Sequence, residues 1–463
     1  MKYLVGIYSF LIINSAYSQS TVEEIIFESD IYKSERKISV YLPKDYYESD
    51  TSKTYVCAYV YDGQFQPYLG MVASMIDYYA QTDEGIPMIV VGIHTSNRWE
   101  EFVPVPESEN EPAPIASGKL DTFMNQEVFP LIEATYRTST YKLGVGHSLG
   151  GTYVMQALAQ ESPLFDAVIA VSPNLTMYNE MLVEKIAGFL STTNAKQKYI
   201  FTTVGSDGEM ENDFKSSLES LNTTISKINS PVFHWTFDVQ NKENHMTTFI
   251  PGFNKGYLDL CSHLFLKDNE LVKLAIESTD SIAATINDFY AEVENFSGIK
   301  VNLTPEDYLK FARTLNSYQE YYAANTLYKY ISELLTEKTD KDSKELVKNI
   351  DNAIEYSSFN MLIKEAKQYK EKGDFEMSSQ KFEVAFAMNV IRGTHLARIH
   401  AVPVFAQTGR INEAFEQLDL LANKFVLGGN GSFLNDPLCT PLHSDKRWNM
   451  YMEKLAKNAQ KYE

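Results

Sequence analysis

Up to about residue 270 the chain alternates strongly apolar, β-branched runs with amphipathic stretches, and this alternation constrains the fold more than any other feature. The runs lie at 37–42, 55–61, 88–94, 142–146, 167–171, 199–204 and 232–239. The central ones are apolar at every position, with no inside–outside alternation, so both faces must be buried. Helical segments at 118–136, 152–160 and 181–190 separate them. Strand and helix in turn predict an α/β fold, a mostly parallel sheet with helices on both faces. An extended stretch at 21–32 precedes the run at 37–42 so closely that the two are expected to form an antiparallel edge.

Beyond residue 270 the strand signal stops and helix follows helix. Two segments, 366–388 and 404–425, resemble each other. They place Gly373 and Gly409 at the same helix–turn–helix position, 36 residues apart. A period near ~34 residues with glycine at the first turn is the tetratricopeptide pattern. An earlier helix pair, 306–335, lacks the glycine, and 435–448 reads as a capping segment. The 463 residues suit two domains. The expected layout is an export signal at 1–18, the α/β domain at 19–268, a helical connection at 269–300 and an all-α repeat domain at 301–463. Stacked helical hairpins offer a concave surface where a protein or peptide partner could bind.

The first 18 residues differ from the rest. Lys2 precedes an apolar run at 3–13, and Ala16-Tyr17-Ser18 puts small residues at −3 and −1 before Gln19. This pattern predicts a secretory signal cut after Ser18, hence a periplasmic or secreted protein. The run falls short of the about 20 residues needed to span a bilayer, and no later stretch is long enough. With no Cys after the cut, no lipid anchor is expected there. A net charge of −20 argues against nucleic acid or anionic membrane as partners. Three cysteines, Cys57, Cys261 and Cys439, are too few and too odd for a disulfide framework. Cys57 and Cys261 read as buried small hydrophobes. Sequence does not decide a Cys261–Cys439 pairing.

The chemistry centres on Gly146-His147-Ser148-Leu149-Gly150, which stands between a strand and a helix. This is the G-x-S-x-G elbow, with Ser148 as the expected nucleophile. Bulk at Gly146 or Gly150 is expected to collide with the neighbouring strand or helix. A serine needs a base. His245, in the polar loop after the run at 232–239, fits that role better than His234, which lies within the run. The acid should follow the run at 199–204, where Asp207, Glu209, Glu211 and Asp213 crowd one loop. Asp207 and Glu209 stand nearest the strand end, and a carboxylate at 207–211 would orient His245. The oxyanion would be held by the Leu149 N–H and by that of Gly63 or Gln64, in the turn after the run at 55–61. Arg98 is expected near the pocket mouth, where it could bind an anionic or phenolic acyl group or pair with an acid. No metal motif and no cofactor motif is present.

Several segments together resemble the esterase D or "putative esterase" family of α/β-hydrolases, which includes siderophore esterases, feruloyl and acetylxylan esterases and mycolyltransferases. They are the stretch to Asp62-Gly63-Gln64, Asn97-Arg98 through Glu101-Phe102, Tyr136-Arg137-Thr138, the elbow, Ser172-Pro173, and Glu243-Asn244-His245. Glu101 stands where the family carries Asp. Family members place the acid three residues after the strand-ending glycine. Counted from Gly205, that is Gly208, between Asp207 and Glu209; some siderophore-type members work as a Ser/His dyad. The resemblance implies an α/β-hydrolase fold followed by helical repeats, as in exported bacterial proteins of this layout. It implies a serine esterase acting on a small-molecule ester, siderophore-type or another small acyl ester. The alternatives are acyl transfer, or a binding or adaptor protein working through its repeats.

Overall fold

The computed structural model of the protein describes residues 9–12, 21–49, 51, 53–103, 118–160, 162–176, 181–192, 197–228, 233–336, 341–388, 390, 394–424 and 435–459. The chain divides into two compact units. One comprises Met1–Lys267 with Asp288–Val301, the other Asp268–Asn287 with Asn302–Glu463. The stretch 269–300, expected as a helical connection, is thus shared between them. Most of the expected export signal and its cleavage point lie outside the described residues.

The described strands of the first unit are β1 (Ser9–Ile12), β2 (Thr21–Ser29), β3 (Ser34–Leu42), β4 (Tyr55–Tyr61), β5 (Met88–Ile93), β6 (Thr138–His147), β7 (Ala167–Val171), β8 (Tyr199–Gly205) and β9 (His234–Gln240). They form one sheet in the order β1-β2-β3-β5-β4-β6-β7-β8-β9. β1 to β3 pair antiparallel, as does β3 with β5. Every pairing from β5 across to β9 is parallel. β4, β5, β7 and β8 are buried at every residue, which is why their sequences show no alternation.

The helices of this unit are α1 (Gln66–Gln81), α2 (Arg98–Phe102), α3 (Gly118–Phe123), α4 (Phe129–Thr135), α5 (Leu149–Leu158), α6 (Met181–Leu190), α7 (Glu209–Ile225) and α8 (Phe249–Leu264). The helix expected over 118–136 is interrupted by a π-helical turn, Met124–Val128. α5 is buried along its whole length. Its Tyr153 packs edge-on to Tyr61 of β4 and stacks on Phe102 of α2. The sheet order reverses at β4: β5 lies on one side of it and β6 on the other. A crevice opens at the carboxyl ends of strands at such a reversal. The Asp62 turn follows β4 and the elbow follows β6, so both belong to that crevice.

The second unit holds α9 (Asp268–Glu277), part of α10 (Ile282–Ser297), α11 (Pro305–Ser317), α12 (Tyr321–Leu335), α13 (Lys341–Glu371), α14 (Phe375–Ala387), α15 (Thr394–Gln407), α16 (Ile411–Lys424) and α17 (Arg447–Ala459). Consecutive helices pack together from α11 to α16. Thr304 opens α11 with a capping box shared with Asp307. Gly373 and Gly409 take positive φ, 77° and 71°, in the turns before α14 and α16. Left-handed backbone is the ordinary way to stop a helix, and glycine adopts it without penalty. Phe382, Phe405, Phe415 and Leu418 form the core, closed by Cys439 and Leu442 of the 437–442 turn.

Cys57 and Cys261 are free thiols, and all three cysteines are buried. Burial pushes the Cys57 thiol up to about 12 and that of Cys261 to about 11, which suits inert packing residues.

Candidate active site

Ser148 joins β6 to α5 with φ 58° and ψ −122°. A non-glycine residue there is strained, and the surrounding structure must hold it. Its N–H donates to the Val171 carbonyl at 2.9 Å, and its carbonyl accepts from the Thr152 N–H at 2.9 Å. Gly146 makes the turn possible. A Cβ there would lie 2.6 Å from the Gly151 nitrogen and closer still to the Gly150 carbonyl. The expectation for Gly150 is corrected: a Cβ there would meet its nearest neighbours, Asp62 and Tyr61, at an ordinary 3.5 Å.

His245 sits in a loop shaped by Asn244, whose carbonyl accepts from the N–H groups of Thr247 and Thr248 at 3.1 and 3.0 Å. The His245 Nδ1 lies 2.6 Å from Glu211 Oε1, with the two side chains 19% and 1% exposed. A carboxylate only accepts, so Nδ1 carries the proton and Nε2 is free to act as base. Glu211 also accepts from the Ser172 hydroxyl at 2.9 Å and from the Gly205 N–H. Burial by itself would raise its pKa. The hydrogen bonds from His245, Gly205 and Ser172 outweigh burial and hold the carboxyl below its ordinary value. Glu211 therefore stays charged, in the first turn of α7, where the helix dipole favours an anion.

Of the carboxylates at 207–211 expected to orient His245, Glu211 is the one that bonds its ring, and Asp207 and Glu209, nearest the strand end, do not. Asp207 and Glu209 are exposed. The backbone explains why. Ser206 and Asp207 donate their N–H groups to the Glu243 carbonyl, stitching this loop to the histidine loop. The chain then enters α7 at Glu209. Two residues along a helix is more than half a turn, so Glu209 faces outward when Glu211 faces in. The stretch reads in sequence as a polar loop, and that hid the rotation.

The oxyanion turn is also narrowed. The Gly63 N–H is committed to the Ile93 carbonyl at 2.8 Å. The N–H groups of Gln64 and Leu149 have no acceptor among the described residues, so this pair is available to an oxyanion. Asp62 holds the turn. Its side chain takes Arg98 Nε at 3.0 and 3.1 Å and Gln64 Nε2 at 3.2 Å. Arg98 also donates from Nη2 to the His147 carbonyl at 3.3 Å. Arg98 thus ties the oxyanion turn to the elbow, and its side chain keeps 39% exposure at the site. Glu101, buried, makes a two-pronged bond to Arg36 and accepts the N–H of Ser96 and Asn97. It fixes the loop from which Arg98 projects.

Among the described hydrogen bonds, none joins Ser148 to His245. That bond often tightens only around substrate. Among the described residues no group of three or more His, Cys, Asp or Glu could hold a metal ion. No described helix is long and apolar enough to cross a membrane.

A mostly parallel sheet, a strained serine elbow after a central strand, and a histidine loop after the last strand define an α/β-hydrolase. Residues 29–247 match the family described as "putative esterase". Over 97 residues the chain is 30% identical to the ferri-bacillibactin esterase BesA of Bacillus subtilis. That stretch is 21% of this chain and 33% of the relative, so the chain spans about a third of the relative's length. An IroE-like serine hydrolase from Shewanella oneidensis superposes with a TM-score of 0.52 at 22% identity, covering 68% of this chain and 99% of that one. An uncharacterised protein from Capnocytophaga ochracea superposes with a TM-score of 0.54 at 18% identity, covering 83% and 99%. Both structures share the fold.

Proposed function

We propose that the protein is a serine esterase working through an acyl-enzyme. The observation that carries this reading is the pairing of His245 with buried Glu211, 2.6 Å apart, whose chain-order and strand positions suit the strained Ser148 elbow. The Ser148 hydroxyl attacks the ester carbonyl while His245 Nε2 takes its proton. The negative oxygen of the tetrahedral intermediate is received by the N–H groups of Leu149 and Gln64. Collapse expels the alcohol, which leaves with the proton from His245. Water, deprotonated by the same nitrogen, then attacks the acyl-Ser148 ester and releases the acid.

The proposed substrates are small acyl esters, with siderophore-type esters first. The relation to a ferri-bacillibactin esterase supports that choice, as does a partly exposed Arg98 at the site. We also propose that the chain is exported, on the strength of Lys2, the apolar run and Ala16-Tyr17-Ser18.

A fluorophosphonate probe and a panel of p-nitrophenyl, feruloyl, acetyl-sugar and catecholate trilactone esters test the reading. Wild type should label at Ser148 and turn over at least one class. Ser148→Ala should lose labelling and about 10⁴-fold or more in kcat. Folded wild-type protein that does not label at Ser148 would sink the reading.

A further inference from the structure

We propose that His147 and Tyr68 are positioning residues, joined in a relay from the Tyr68 hydroxyl through the His147 ring to the main-chain carbonyl of His245, which sets the catalytic loop relative to Ser148. The proposal rests on the serine-esterase reading above.

Two distances carry it. The Tyr68 oxygen lies 2.7 Å from His147 Nδ1. His147 Nε2 lies 2.7 Å from the His245 carbonyl oxygen. A carbonyl can only accept, so Nε2 bears the proton and donates. Nδ1 is then bare and accepts from the Tyr68 O–H. The two partners therefore select one neutral tautomer of His147. The ring is buried, and burial pushes its pKa down to about 4, so the neutral form persists at working pH.

The relay links three segments that the fold brings together separately. Tyr68 stands in α1, just after the oxyanion turn. His147 ends β6, next to Ser148. The accepting carbonyl belongs to the catalytic histidine itself. Tyr68 also packs on Phe249, the first residue of α8, at 4.3 Å between ring centroids. The loop carrying His245 is thus held by His147 at its carbonyl and by Tyr68 at its exit.

Glu211 and the relay control different motions. The Glu211 bond to Nδ1 fixes the rotation of the His245 ring. The His147 bond fixes the backbone from which the ring hangs. His147 and His245 rings lie 4.6 Å apart, tilted by 36°. A neutral His147 at that distance leaves the positive charge formed during catalysis on His245 alone.

The test uses Tyr68→Phe, His147→Gln, His147→Phe and the double variant Tyr68→Phe/His147→Phe in the full chain. The readouts are fluorophosphonate labelling of Ser148, kcat and KM on p-nitrophenyl acetate, and thermal unfolding. Without the Tyr68 hydroxyl, the His147 proton can move to Nδ1 and release the carbonyl. Tyr68→Phe should lower kcat about tenfold with KM nearly unchanged, as a displaced base does. His147→Phe should lose more, and His147→Gln should recover part of it through its amide donor. The double variant should be no slower than His147→Phe, because both changes cut one path. Folded Tyr68→Phe with wild-type kcat and labelling overturns the relay, as does additive loss in the double variant. If His147→Phe does not fold, Tyr68→Phe alone decides. Failure of wild type to label overturns the esterase reading itself, a result distinct from labelling that is equal in wild type and Tyr68→Phe.

Discussion

Glu209 and Glu211 stand two positions apart in the first turn of α7, one exposed and one buried against His245. Their composition is identical, so only the backbone decides which serves the base. Glu211→Gln keeps the shape but can offer its amide N–H to His245 Nδ1, favouring the wrong tautomer. It should lower kcat/KM by about 10³- to 10⁴-fold. Asp207→Asn and Glu209→Gln should stay close to wild type, because both side chains are exposed. Steady-state kinetics on any active ester checks the three variants together, and a large loss in Asp207→Asn would return the acid to that position. The places of Ser148 in a tight turn after β6 and of His245 in a loop after β9 were legible in sequence because each is marked by its neighbours, glycines for one and a strand-ending polar loop for the other. The partners of Glu211, Ser172 and the Gly205 N–H, carry no such mark. His147 did stand in the motif, but its position gave no sign of a carbonyl acceptor 98 residues away.

At the scale of elements, the elbow depends on how closely α5 leaves β6. Gly146 and Gly150 look equivalent in the motif, yet a Cβ clashes with backbone at the first and meets ordinary contacts at the second. Gly146→Ala should destabilise the protein by about 3 kcal/mol, since backbone cannot yield as a side chain can. Gly150→Ala should stay within about 1 kcal/mol, because alanine is the better helix former and no backbone need move. Thermal unfolding of the two variants gives the comparison, and equal stability would show that the elbow relaxes. The strands were legible because burial on both faces leaves an unmistakable apolar run. β4 and β7 lie where the runs at 55–61 and 167–171 put them. The helices α1 and α7 were harder to see. α1 begins in the tyrosine-rich stretch after the oxyanion turn, and α7 has a strongly polar exposed face.

At the scale of the whole molecule, the antiparallel edge raises a question about export. The full chain pairs β1 (Ser9–Ile12) with β2. Cleavage after Ser18 would remove β1 and leave β2 as the edge strand. β2 is already paired on its other side with β3 through nine residues, so the sheet keeps its edge without β1. Mass spectrometry of protein recovered from the producing cell's envelope or medium should find Gln19 at the N-terminus. A retained Met1, or recovery in the cytosol only, would end the export proposal.

The amino-acid sequence by itself determined a parallel α/β sheet and a helical second half, and it marked Ser148 and His245 as the candidate nucleophile and base. Those follow from local rules: two-sided burial, helical periodicity, and a turn so tight that glycine must flank the nucleophile. The tertiary structure alone decided which carboxylate serves His245, which amides remain free for an oxyanion, and that Arg98 braces the Asp62 turn. Each of these depends on hydrogen-bond partners that meet only when β4, β6, β8 and the histidine loop are aligned at the carboxyl ends of the strands. A donor is spent or free according to what lies 3 Å away, and sequence separation does not encode that distance.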